Sequence, residues 1–288
     1  MADIYGAITD SAINRAIKFL MRWRPALFNF VAPSQYPTFD GNGYFTGFGE
    51  RWLTCCSVKW PPGVDHNTFP RYTRQDPLKM PGVVGGGIPF CAQITDAKID
   101  FHPSNTIDLP VALTPPLMNQ RFAVWADVSC GVGCPTDALI DALLDAHFYA
   151  HSKFKLTPDL FNQMTLDVES LICFSLELFA TGRLYTQPQP GSSNPPVTEI
   201  RVAVNGVEVQ NVRPNGLEDA VECYIRMYIR AYVLPKLVLA LEPIIVKALG
   251  VTFTPTLTSG LPNNPAIEQN ELRVWLDVDV TKTKTSGS

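Results

Sequence analysis

Alternation of apolar and polar side chains marks several stretches of this chain as strands with one wet face. Ala97, Ile99 and Phe101 alternate with Lys98 and Asp100, and Phe122, Val124, Ala126 and Val128 alternate with Arg121, Trp125 and Asp127. A period of two predicts half-buried antiparallel strands. Leu109, Pro110, Pro115 and Pro116 between them exclude one continuous central strand. The clearest pattern sets Ile172, Phe174, Leu176 and Leu178 against Ser175 and Glu177 and runs on to Tyr185. After a Pro/Gly/Ser loop from Pro188 to Pro196, Ile200, Val202 and Val204 lead into Asn205-Gly206, a strong hairpin signal, with Val207 and Val209 beyond it. Leu272, Val274, Leu276, Val278 and Val280 form a closing strand. Glycine- and aromatic-rich text predicts two more strands near 43–49 and 51–60, then an irregular connection through Gly87.

Helical spacing appears in three places. Thr9 or Asp10 caps a helix carrying Ile13, Ala16, Ile17 and Leu20 on one face, with Arg15, Lys18 and Arg22 toward solvent, and it ends before Pro25. Packing on its own domain is the expected role, and lying on a membrane surface the other. Thr136 caps a middle helix with Leu139, Ile140, Leu143, Leu144 and Phe148 on one face. The third element dominates the pattern: Asn215 caps, Glu218 and Asp219 suit the first turn, and a long apolar run extends from Leu217 to Leu249 before Gly250. Val221, Tyr224, Ile225, Met227, Tyr228, Ile229 and Tyr232 cover most of its circumference, which predicts burial on most sides. Pro235 and Pro243 predict bends, and with Lys236, Glu242 and Lys247 they argue against a membrane span.

Composition narrows the function. The 288 residues carry a formal net charge of −4, with pI near 5.6, and no Lys/Arg cluster suited to a phosphate backbone; nucleic acid is not an expected partner. The first residues lack the features of a secretory signal, and seven cysteines form no regular framework, so a cytoplasmic, reducing location is expected. Cys130 and Cys134 read as thiols in a turn. His147 and His151 share a helix face but lack the Glu of a His-Glu-x-x-His motif, and the Gly41, Gly43, Gly47 spacing opens no helix. Without a Gly-x-Ser-x-Gly elbow either, neither an enzyme nor a cofactor is expected.

Together these elements predict an α+β fold: a highly curved antiparallel β-sheet wrapped around a long apolar C-terminal helix, with a shorter N-terminal helix and a middle helix. One domain spans residues 1–280, and the polar tail, residues 281–288, is expected to be disordered. The segments Leu171 to Tyr185, Val197 to Val212, Leu217 to Leu249 and Leu272 to Val280, with Ile8 to Leu20, resemble the TULIP (tubular lipid-binding) superfamily, which includes bactericidal permeability-increasing protein and cytoplasmic bacterial members. Some members tie a strand to the long helix by a disulfide, and Cys173 and Cys223 stand in the corresponding elements, although alternation puts Cys173 opposite Phe174. The resemblance implies non-enzymatic binding or transfer of a lipid or other apolar ligand in a tubular groove. The expected lining is Ile172, Phe174, Leu176 and Leu178 with Ile225, Tyr228 and Tyr232, the tyrosines offering hydrogen bonds to a head group. The alternative is an interaction protein that uses the scaffold for a protein partner or homo-oligomer and holds no ligand; its cues are Trp52, Trp60, Trp125 and Trp275 and the loops at Gly82–Gly87 and Pro188–Pro196.

Overall fold

A computed structural model describes residues 2–41, 45–59, 70–79, 87–134, 170–188, 198–213, 238–240 and 251–282. In chain order the elements are β1 (Ile4–Thr9), α1 (Asp10–Trp23), β2 (Asn29–Ala32), β3 (Ser34–Phe39), β4 (Phe45–Arg51), β5 (Thr73–Arg74), β6 (Leu78–Lys79), β7 (Gly87–Ile88), β8 (Phe90–Phe101), β9 (Phe122–Cys134), β10 (Ser170–Pro188), β11 (Thr198–Arg213), β12 (Val238–Ala240), β13 (Val251–Leu257), β14 (Ala266–Glu268) and β15 (Glu271–Lys282). Two short 3-10 turns lie at Pro25–Leu27 and Val111–Leu113. A seven-stranded sheet has the order β12-β11-β10-β9-β8-β2-β5; β1, β15 and β13 form a second sheet in that order, with β14 also on β15.

This corrects the expected fold class. The described residues are mostly β, with α1 as their one α-helix, and the helix expected from Leu217 to Leu249 is not continuous. Its middle forms β12, antiparallel to β11 with Ile200 opposite Leu239. A proline lacks an N–H and disfavours the turn before it, so the sequence around Pro235 and Pro243 is a poor continuous helix, and Val238–Ala240 satisfies its backbone on the edge of β11 instead. The middle helix from Thr136 and the segment carrying Ile225, Tyr228 and Tyr232 lie outside the described residues.

Chain contacts divide the molecule into two compact units, interleaved in sequence: residues 1–18, 97–126 and 177–288, and residues 19–96 and 127–176. In the first unit the large sheet is apolar on both faces. Phe101, Phe122 and Ile267 form a core on one side, joined by Ile13 of α1, Val124, Leu184, Val202 and Leu272. On the other, Ala123 and Phe179 meet Ile107, Leu113 and Leu117, with Trp125 against them. The proline-containing connection between β8 and β9 therefore covers the face expected to be wet. Buried Asp100 pins its start by accepting hydrogen bonds at Oδ2 from the N–H groups of Thr106 and Ile107, at 2.7 and 3.2 Å. Gln120 ties its end to β14, accepting from the Ile267 N–H at 2.9 Å.

The predicted hairpin at Asn205-Gly206 is also absent: β11 runs straight through it. Gly206 has a different use, because a Cβ there would lie 2.7 Å from Leu113 Cδ2. At the C-terminus β15 takes in Thr281 and Lys282, two residues of the expected tail.

In the second unit β2 pairs with β8 antiparallel and with β5 in parallel, while β3 and β4 form a hairpin. The strand expected near 43–49 is β4, whereas residues 52–59 of the one expected at 51–60 are irregular, and β4 pairs instead with β3 on its N-terminal side. Val31, Ala32 and Cys91 are buried here. Cys173 is bonded to Cys55, with Cα atoms 5.7 Å apart, in place of the Cys223 pairing that the resemblance suggested. Cys223 itself is outside the described residues.

Candidate functional site

Helix α1 begins where its sequence says it should. The Ala12 N–H donates to Thr9 Oγ1 at 3.2 Å, and Asp10 in the first turn and Arg22 in the last complement the helix dipole. It stops at Trp23, with Arg24 N–H donating to Leu20 O at 2.7 Å and Pro25 opening the 3-10 turn. Its inner face is anchored by Ile13 and by Asn14. The Asn14 amide donates to Ile99 O at 2.8 Å and accepts from Ile99 N–H at 2.7 Å, so one side chain pairs with β8 as a neighbouring strand would.

The rest of the helix has less apolar cover. None of its residues is fully buried. Phe19 is 59% exposed, and Leu20 and Trp23 are 36% exposed; Leu27, just beyond, is 58% exposed. Phe19 and Trp23, four residues apart, stack with ring centroids 5.9 Å apart. At about 100° per residue they occupy the flank between the Ile13–Ile17 stripe and exposed Arg15, Lys18 and Arg22. Helical periodicity marks the inner stripe and the basic face; the sign of this flank in the sequence is the four-residue spacing of its two aromatic residues.

The residues expected to line an apolar groove divide differently. Leu176 is buried, Phe174 and Leu178 are half-buried and Ile172 is half exposed, while Ile225, Tyr228 and Tyr232 lie outside the described residues. Among the expected tryptophans, Trp52 is exposed, Trp125 packs on the core and Trp275 is half-buried 5.5 Å from Tyr5. Trp60, His147 and His151 fall outside the described residues. Cys130 stands inside β9 rather than in a turn. Burial, with the neighbouring Cys91 adding to it, pushes its thiol up to about 12. Among the described residues no group of three His, Cys, Asp or Glu side chains is arranged to hold a metal ion, and no helix is long and apolar enough to cross a membrane.

No family model matches the chain, and no curated protein matches it. Among solved structures it is similar to a crystal structure of lipopolysaccharide binding protein, with 7% identity and a TM-score of 0.28 over 68% of this chain and 33% of that one. The matched region is therefore about a third of the neighbour's length, and at that score the likeness establishes neither fold nor ligand.

Proposed function

We propose that the protein is a non-enzymatic lipid-binding protein and that the outer flank of α1 seats on an anionic lipid surface. The carrying observation is the exposed Phe19–Trp23 stack, with Leu20, Leu27 and the Arg22 guanidinium in the same short segment. Aromatic and leucine side chains next to basic ones suit the headgroup boundary: rings enter the acyl region while cations stay with the phosphates. Such a helix lies on the bilayer and needs no spanning segment.

Fluorescence quenching by lipids brominated at defined acyl depths tests this. Quenching by shallow bromines in the wild type should fall in Trp23→Phe, which keeps an apolar ring but removes that fluorophore. Equal quenching in both proteins contradicts the assignment.

A second reading, an interaction protein without a ligand, is supported by β1. Among the described strands β1 lies at the edge of its sheet, and its residues 4–8 are all exposed, which suits strand addition by a partner or a second copy. A Gly6→Pro variant should then lose self-association in sedimentation velocity while keeping vesicle binding. Unchanged association removes support from this reading.

A further inference from the structure

The second unit brings three cysteines, Cys55, Cys91 and Cys173, close to one another where the sequence showed no framework. Cys91 is on β8, Gly131 on β9 and Cys173 on β10, three successive strands of the sheet. Cys55 comes from the irregular segment after β4. Its sulfur rests over Gly131, where a Cβ would lie only 2.5 Å from it and 2.9 Å from Cys91 Sγ. Glycine at 131 makes the space that Cys55 occupies. From there Cys55 is bonded to Cys173 on one side, and the Cys91 thiol points at its sulfur from 3.5 Å on the other.

Cys55 is thus the shared partner of two cysteines that cannot reach each other. With β9 between them and strands about 4.8 Å apart, Cys91 and Cys173 are separated at Cα by roughly 10 Å, beyond the ~7 Å limit for a disulfide. Cys55 is also held in place independently of its bond. The adjacent Cys56 N–H donates to Gln93 Oε1, and Gln93 Nε2 donates to Cys56 O, both at 2.8 Å, with Gln93 buried on β8. When the bond to Cys173 opens, this clamp keeps Cys55 beside β8 and therefore beside Cys91.

We propose that Cys91, Cys55 and Cys173 form a thiol–disulfide exchange site, in which Cys55 trades its bond to Cys173 for one to Cys91. The Cys91 thiolate attacks Cys55 Sγ, the Cys55–Cys91 bond forms and the Cys55–Cys173 bond breaks. Cys173 leaves with the electron pair as a thiolate and takes up a proton equivalent to the one Cys91 released. No electrons enter or leave, so no external oxidant is needed. The exchange moves the free thiol from a buried residue to an exposed one. The product offers a thiol at Cys173 to a disulfide-bearing molecule or an alkylating electrophile.

Burial raises the Cys91 thiol above its ordinary value. The attacking species is the thiolate, so exchange is slow near neutral pH and accelerates about tenfold per pH unit while the thiol remains mostly protonated.

The test is alkylation of the intact oxidised protein with iodoacetamide at pH 7 and pH 9, with no reductant, followed by non-reducing peptide mapping. Expected are carboxamidomethyl groups on Cys173 together with a Cys55–Cys91 cross-link, both forming much faster at pH 9. Cys91→Ser and Cys91→Ala should each reduce Cys173 labelling at least tenfold, with near-UV circular dichroism confirming the native fold. Cys173→Ser, oxidised after purification, should carry a Cys55–Cys91 bond. Labelling of Cys173 at the wild-type rate in either folded Cys91 variant overturns the proposal. So does a wild type that is unlabelled at Cys173 at both pH values, or a folded Cys173→Ser protein with Cys55 and Cys91 both free.

Discussion

Truncating Phe19 tests the energetic basis of the lipid reading. Its ring is 59% exposed, and since an aromatic side chain buries roughly 150–250 Å² in full, about 120 Å² remains for a lipid surface to cover. At about 25 cal/mol per Å² that is ~3 kcal/mol, of which an alanine at the same place recovers under a third. Phe19→Ala should therefore weaken partitioning by ~2 kcal/mol, or about 30-fold. Because the ring is already mostly in water, fold stability should change much less. The assay is co-sedimentation with vesicles of phosphatidylglycerol and phosphatidylcholine, titrating lipid against fixed protein. Partitioning within threefold of wild type, in a protein with unchanged circular dichroism, would mean that the exposed ring contributes almost nothing to binding and that α1 does not seat on lipid through Phe19.

Other expected outcomes follow from particular contacts. Arg22→Gln should leave binding to neutral vesicles unchanged and flatten the salt dependence of binding to anionic ones, measured by the same titration between low and high ionic strength. Asn14→Ala strips both partners from Ile99 and should cost about 1–3 kcal/mol in urea unfolding, far more than the loss of an exposed side chain. Gly131→Ala places a Cβ 2.5 Å from Cys55 Sγ and 2.7 Å from Leu171 Cδ2; it should destabilise the protein by about 1–3 kcal/mol and leave a larger fraction of Cys55 unbonded on peptide mapping. The Cys130 thiol, raised in the fold from 9.0 to about 12, contributes stability that is full below pH 9. That contribution is lost as pH rises from 9 to 12, because the unfolded chain ionises first. Cys130→Ala should flatten the fall in stability across that window, read from urea midpoints.

Much of the sheet was legible because its strands alternate. The segments at 97–101, 122–128, 172–185 and 271–280 are strands as their period of two predicts, and Thr9 caps α1 as a short polar side chain before an apolar face should. Alternation could not reveal that both faces of the sheet would be covered. Phe179, which alternation places on the face of Ser175 and Glu177, is buried against Ile107 and Leu113, which come from a connection whose prolines mark it only as non-strand. Asn205-Gly206 misled for a related reason: the glycine answers to the approach of Leu113 from far along the chain, and local turn chemistry carries no trace of that contact. The long apolar run shows propensity yielding to pairing, since its prolines free a segment that completes a sheet edge as β12. The Cys55–Cys173 bond joins residues 118 apart, and seven cysteines leave its partner undetermined until the strands are in place.

At the candidate site, the cap, the inner stripe and the basic residues of α1 were readable. The exposed Phe19–Trp23 flank was not, because periodicity assigns apolar residues to a core and does not say how much core is available to cover them.

The most direct measurement of the central claim is co-sedimentation of the wild-type protein with purely neutral vesicles and with vesicles containing phosphatidylglycerol, each at low and high salt. Pelleting is expected with both, strongest on anionic vesicles at low salt and reduced but not abolished at high salt, where the apolar contribution of Phe19, Trp23 and Leu27 remains. Protein left in the supernatant under every condition would contradict that claim.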